Sequence, residues 1–103
     1  MKIYNKLVRD LIPQVIANSG RQFSAHWASK EQFPKLLEEK LMEEVNEYLE
    51  DKNLEELADV LEVLVALAGT LGYAEEELFE KRKQKKEERG GFSEGIVLEK
   101  TWE

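Results

Sequence analysis

The stretch 41-LMEEVNEYLEDKNLEELADVLEVLVALAGTL-71 decides the fold. It reads as the end of one helix, a turn at Asp51-Lys52-Asn53, and a second helix from Leu54 to about Leu71. Upstream, Phe33, Leu37, Leu41, Val45 and Tyr48 recur at the spacing of a core-facing helical stripe over Phe33 to Leu49. At roughly 100° per residue, Glu44 falls inside that stripe and Glu47 on its edge. Glu38 and Glu39 point away, as ordinary solvated charges do. The second helix is apolar almost all round through Val60, Leu61, Val63, Leu64, Val65, Leu67 and Leu71, and is expected to be the buried central element. On such a helix Glu56, Asp59 and Glu62 require an explanation.

Helical residues three apart share one face, so Glu44/Glu47 and Glu56/Asp59 form two carboxylate pairs. Antiparallel packing of the two helices aims all four at one point. Four such anions repel unless a positive charge lies between them, and a hard divalent cation such as Mg2+, with Mn2+ as a substitute, suits an all-oxygen donor set. A carboxylate on the apolar side of a helix is costly to ionise alone, so Glu44 must be protonated, ion-paired or metal-bound. Simpler explanations compete with this one. In a chain with 36% charged residues, acidic triplets arise by chance as solvated faces, and Glu56 can complete an Asn53-x-x-Glu56 capping box. Asp59 weighs against them, because Asp is a poor helix-interior residue and no cap accounts for it there.

Outward from this hairpin the chain carries no repeat and no low-complexity linker. Met1 to Tyr4 is an extended lead-in. Pro13 disfavours helix at Ile12 but suits a first turn, which predicts a short helix over Ile12 to Asn18 closed by Gly20. Gln22 to Trp27 alternates polar and apolar residues, the pattern of an extended segment or small strand; a further extended segment is expected near the C-terminus. Ser29 and Gln32 offer a capping box for the long helix, with Pro34 tolerated in its first turns. A last helix is expected from Ala74 to about Arg89, stopped by Gly90-Gly91. Its stripe begins as Leu78 and Phe79 and continues as Arg82, Lys85 and Arg89, widened by Lys81, Lys83 and Lys86. Such a cationic face, if turned toward the carboxylates, receives phosphates; as a solvated charge run it pairs with Glu80, Glu87 and Glu88.

The 103 residues predict a single, all-α domain spanning 1–103. A chain of this size cannot bury so apolar a helix alone, so a homodimer or a dimer of dimers is expected. The absence of a signal peptide and of a membrane-length apolar run points to a cytoplasmic protein. No cysteine is present to make a disulfide scaffold or a thiolate zinc site, and the single His26 reads as a surface residue. A net charge of −7 argues against binding a nucleic-acid polymer.

Glu43-Glu44-x-x-Glu47 with Glu56-x-x-Asp59 resembles the signature of the all-α nucleotide pyrophosphohydrolases, the MazG-like superfamily. The opening Tyr4-Asn5-Lys6-Leu7-Val8-Arg9-Asp10-Leu11-Ile12-Pro13, and the basic helix followed by Gly90-Gly91-Phe92, are similar to its phosphoribosyl-ATP pyrophosphohydrolase-like subgroup. The resemblance covers nearly the whole chain, with a short Glu47-to-Glu56 connection as its departure. It implies a helical bundle of the all-α NTP pyrophosphatase type and a hydrolase that converts a nucleoside triphosphate to the monophosphate and pyrophosphate by attack at the α-phosphorus. On that expectation Glu44, Glu47, Glu56 and Asp59 hold Mg2+, and Glu43, with Glu44, serves the attacking water. Lys6, Arg9, Arg82, Lys85 and Arg89 are the candidates for phosphate contacts, and Phe23, Trp27 and Tyr73 for stacking a base, although aromatics at apolar positions are commonly core. Phosphoribosyl-ATP hydrolysis in histidine biosynthesis uses the same site on another substrate. A non-enzymatic dimerisation or adaptor module, its acidic ridge meeting a basic partner, remains the alternative from another class.

Overall fold

In the computed structural model, which describes residues 1–103, the chain forms four helices and no strand: α1 (Ile12–Asn18), α2 (Phe33–Asp51), α3 (Leu54–Thr70) and α4 (Glu75–Arg89). The boundaries follow from local chemistry. Pro13 occupies the first turn of α1, and Gly20 lies just beyond its end at φ +83°, a conformation open to glycine. The predicted box before α2 is present, with Gln32 N–H donating to Ser29 Oγ at 3.1 Å and Ser29 N–H to Gln32 Oε1 at 3.4 Å. Lys52 adopts the left-handed conformation at the end of α2, and Asn53 opens α3 by accepting the Glu56 N–H at 3.0 Å. At α4, Glu77 Oε1 accepts the Ala74 N–H at 3.0 Å, and Gly90 ends the helix.

The core is the α2–α3 hairpin, and it is thin. Leu37 from α2 and Val63 and Ala68 from α3 are the buried apolar residues. Here the structure corrects the expectation that α3 is buried all round. Only α2 packs along it, α4 touches it at one end, and α1 packs on no helix. Leu54, Leu57, Leu61, Leu64 and Leu71 therefore remain exposed. The Gln22 to Trp27 segment and the C-terminal residues form no strand either. Alternation makes a strand only where a neighbour completes its ladder, and no second extended segment pairs with it.

The chain is elongated, 63 × 32 × 23 Å, with a radius of gyration of 18.0 Å, where a compact domain of this length has about 13 Å. Its 9739 Å² of accessible surface compares with about 6,000 Å² for a folded monomer of this mass. No single helix is long and apolar enough to cross a membrane.

Candidate metal centre

Helical spacing turns Glu44 toward α3, and the turn at Asp51-Lys52-Asn53 brings the first turns of α3 back alongside it. One carboxylate oxygen each from Glu44, Glu56 and Asp59 then lies within 4.8 Å of the others. Glu44 is the one buried charged residue, 6% exposed, while Glu56 and Asp59 are half-buried. The Glu56 backbone serves the cap on Asn53, but its side chain does not close the expected reciprocal box. The carboxylate joins the acidic cluster instead, and two buried oxygens, Glu44 Oε2 and Glu56 Oε2, have no hydrogen-bond partner. Orphaned buried carboxylate oxygens are expensive, and a cation shared among them removes that cost.

The cations of the chain neutralise the cluster only in part. Lys40 Nζ lies 3.3 Å from Glu44 Oε1 and 3.4 Å from Glu43 Oε2. Burial pushes the Glu44 carboxyl above its ordinary value; Lys40 opposes this, and Glu47, one turn along, adds to the rise. Glu47 is half-buried beside Glu44 but lies outside the close triad. Glu43 is held in the opposite sense. Its hydrogen bond from Lys6, 2.7 Å long, keeps its carboxyl below the ordinary value, with burial opposing and Lys40 assisting. The same bond raises the Lys6 ammonium. Glu43 is thus firmly ionised, an acceptor able to orient a water more than a strong base.

The structure brings together Glu44, Glu56 and Asp59, with Glu43 joined to Glu44 through Lys40, a residue that sequence patterning passed over although it stands one turn before Glu44. Lys6 and Arg9, the two N-terminal phosphate candidates, lie on carboxylates: Lys6 on Glu43, and Arg9 on Asp59 at 2.7 Å with Glu62 at 4.0 Å. Arg82, Lys85 and Arg89 are not brought to the cluster within one chain. α4 turns from α3 by 108°, makes no contact with α2, and holds its basic half in solvent without an ion pair. A local reason is its apolar content, confined to half-buried Leu78 and Phe79, so nothing holds its far end against the hairpin. Phe23, Trp27 and Tyr73 are exposed, with Trp27 97% so, and none is part of the buried core. His26 is exposed, as expected. An open groove on α4 is lined by Glu76, Glu77, Glu80, Lys81 and Gln84 and has no apolar wall to receive a base.

No protein-family model matches the chain, and neither a curated protein nor a solved structure matches it.

Proposed function

We propose that this chain is a divalent-cation-dependent nucleotide pyrophosphohydrolase, cleaving an NTP or dNTP, standard or modified, to the monophosphate and pyrophosphate. The observation that carries this reading is the convergence of Glu44, Glu56 and Asp59 from two helices, with one oxygen each of Glu44 and Glu56 buried and unpartnered. All-oxygen, polyanionic donors fit Mg2+ or Mn2+ and not a softer metal. The motif resemblance of the acidic pairs then selects phosphate chemistry among the uses of such a cation.

Glu44, Glu56 and Asp59 would hold the cation, with Glu47 at the margin. When bound, it supplies charge neutralisation at the phosphate oxygens and acidifies water. Glu43, kept ionised by Lys6 and Lys40, accepts a hydrogen bond from the attacking water and orients it. In the overall step the water oxygen bonds to the α-phosphorus, the bond from that phosphorus to the α,β-bridging oxygen breaks, and the water proton passes to solvent. Pyrophosphate leaves with the electron pair. Lys6 and Arg9 stand beside the carboxylates, within side-chain reach of phosphates placed there.

A second copy of the chain is part of the proposal. Leu54, Leu57, Leu61 and Leu64 follow a three–four spacing along α3, Leu71 lies just past its end, and all five are exposed. That seam is self-complementary, suits pairing of α3 with its symmetry mate, and turns two hairpins into a four-helix bundle. The surface in excess of a compact monomer is ample for a stable interface. An adaptor module explains the open seam equally well, but it has no use for Glu44 buried against two further carboxylates. The deciding experiment is a nucleotide panel that includes phosphoribosyl-ATP, with pyrophosphate and orthophosphate both assayed. Equal initial release of monophosphate and pyrophosphate, dependent on Mg2+, supports the assignment; initial orthophosphate release overturns it.

A further inference from the structure

The N-terminal arm reaches the hairpin through two short ion pairs that fall on the acidic site, and through a longer contact of Arg9 with Glu62 at 4.0 Å. Lys6 Nζ donates to Glu43 Oε1 at 2.7 Å and lies 5.8 Å from the Tyr4 ring, while Arg9 Nη2 donates to Asp59 Oδ1 at 2.7 Å. Residues 1–9 have no helix or strand, and Asn5 takes the left-handed conformation at φ +47°, turning the chain just before Lys6. Apart from these clips the segment is held weakly. α1 packs on no other helix, Leu7 is half-buried, and a cavity of about 40 Å³ lies under the strap between Lys6, Leu7, Leu36, Glu39, Lys40 and Glu43. The Arg9 side chain is 53% exposed, so its pair with Asp59 is screened and contributes little stability.

We infer that residues 5–9 form a cationic strap that occupies the carboxylate site in the cation-free protein and that Arg9 is displaced from Asp59 when a divalent cation binds. The proposal rests on the metal-site assignment above and adds a competitor to it. Asp59 cannot give its charge fully to both cations, and a divalent ion among Glu44, Glu56 and Asp59 stands close enough to the guanidinium to repel it. Of the two, Arg9 is the one with solvent to move into. Once released from Asp59, the arm keeps the Lys6–Glu43 clip and the longer, exposed contact of Arg9 with Glu62, so cation binding loosens the N-terminus while tightening the hairpin.

The test uses the full chain and Mn2+ alone. Titration calorimetry at fixed ionic strength compares wild type with Arg9→Gln, and with Glu62→Gln, which removes the second anchor of Arg9 without touching a proposed ligand. Circular dichroism confirms that each variant keeps its helices. Arg9→Gln is expected to bind Mn2+ about fivefold more tightly, the order set by removing one exposed ion pair, and Glu62→Gln to shift affinity the same way by less. Hydrogen exchange of amides 5–18 in the wild type is expected to accelerate on adding Mn2+. Equal or weaker binding by both variants, or arm exchange that stays constant or slows, overturns the strap while leaving the metal site standing. Absence of Mn2+ binding in every form overturns the metal site and the strap together.

Discussion

Lys40 stands 3.3 Å from Glu44 Oε1, one turn away on the same helix, and leaves Glu44 Oε2 buried with no partner. This half-neutralised carboxylate joins the fold to the site: it is tolerated because Lys40 covers one oxygen, and it is available because nothing covers the other. Replacing Lys40 with Met removes that cover. We expect Lys40→Met to lower stability at pH 8 by about 1–3 kcal/mol, the range for leaving a buried polar group unsatisfied, as read from urea unfolding. A variant as stable as wild type would mean that water already solvates Glu44.

The pH dependence of Glu44 has a definite sign. Its carboxyl is raised above the ordinary 4.5 by burial, so between 4.5 and the raised value the folded state binds more protons than the unfolded one. Its contribution is therefore fully present below about pH 4.5 and is lost as pH rises through the folded value. Glu44→Gln escapes that loss. Urea midpoints of the two proteins should be closer at pH 4 than at pH 8, where the variant is the more stable; a gap that widens toward acid contradicts the buried, raised carboxyl.

The Lys6–Glu43 pair runs the other way on the acid side. Glu43 is depressed below 4.5 by Lys6, so its stabilisation is present above that value and lost as pH falls through the folded one. Lys6→Gln should flatten this part of the acid-unfolding profile, by less than about 1 kcal/mol because the pair is partly exposed. An unchanged profile would show that Lys6 does not hold Glu43 in solution.

Cation binding should raise the melting temperature by about 10 °C at a hundredfold excess over Kd. Asp59→Asn and Glu56→Gln should abolish most of that rise, and Glu47→Gln should weaken it less, because Glu47 lies outside the close triad. Reversal of Arg82, Lys85 and Arg89 to Glu should leave the rise intact, since α4 lies away from α2. Loss of the response in the α4 variant, with Asp59→Asn still responding, would relocate the site.

The α3 seam is tested by Leu61→Lys. Sedimentation should give a dimer or larger assembly for wild type and a monomer for the variant, with helix content reduced because the α2–α3 core is too thin to persist alone. A monomeric wild type with full helicity would refute the second copy.

What the chain spells out locally, it also determines. Pro13 and Gly20 set the limits of α1, the reciprocal Ser29–Gln32 bonds precede α2, Asn53 opens α3 and Gly90 closes α4, each through a hydrogen bond or a dihedral preference within a few residues. The triad of Glu44, Glu56 and Asp59 was legible for the same reason, since helical periodicity and a tight turn leave those side chains few directions. Glu47 was legible only as to face, and tertiary packing set it at the margin. Periodicity also misjudged the burial of α3 and left the direction of α4 open, because a stripe states which face seeks cover and not whether a neighbour supplies it. Tertiary structure alone decided where Lys6 and Arg9 settle, 37 and 50 residues from their partners. Among 15 basic and 22 acidic residues, exposed ion pairs differ too little in energy for sequence to select one. The path of the backbone through Asn5 and over the α2–α3 hairpin makes that selection.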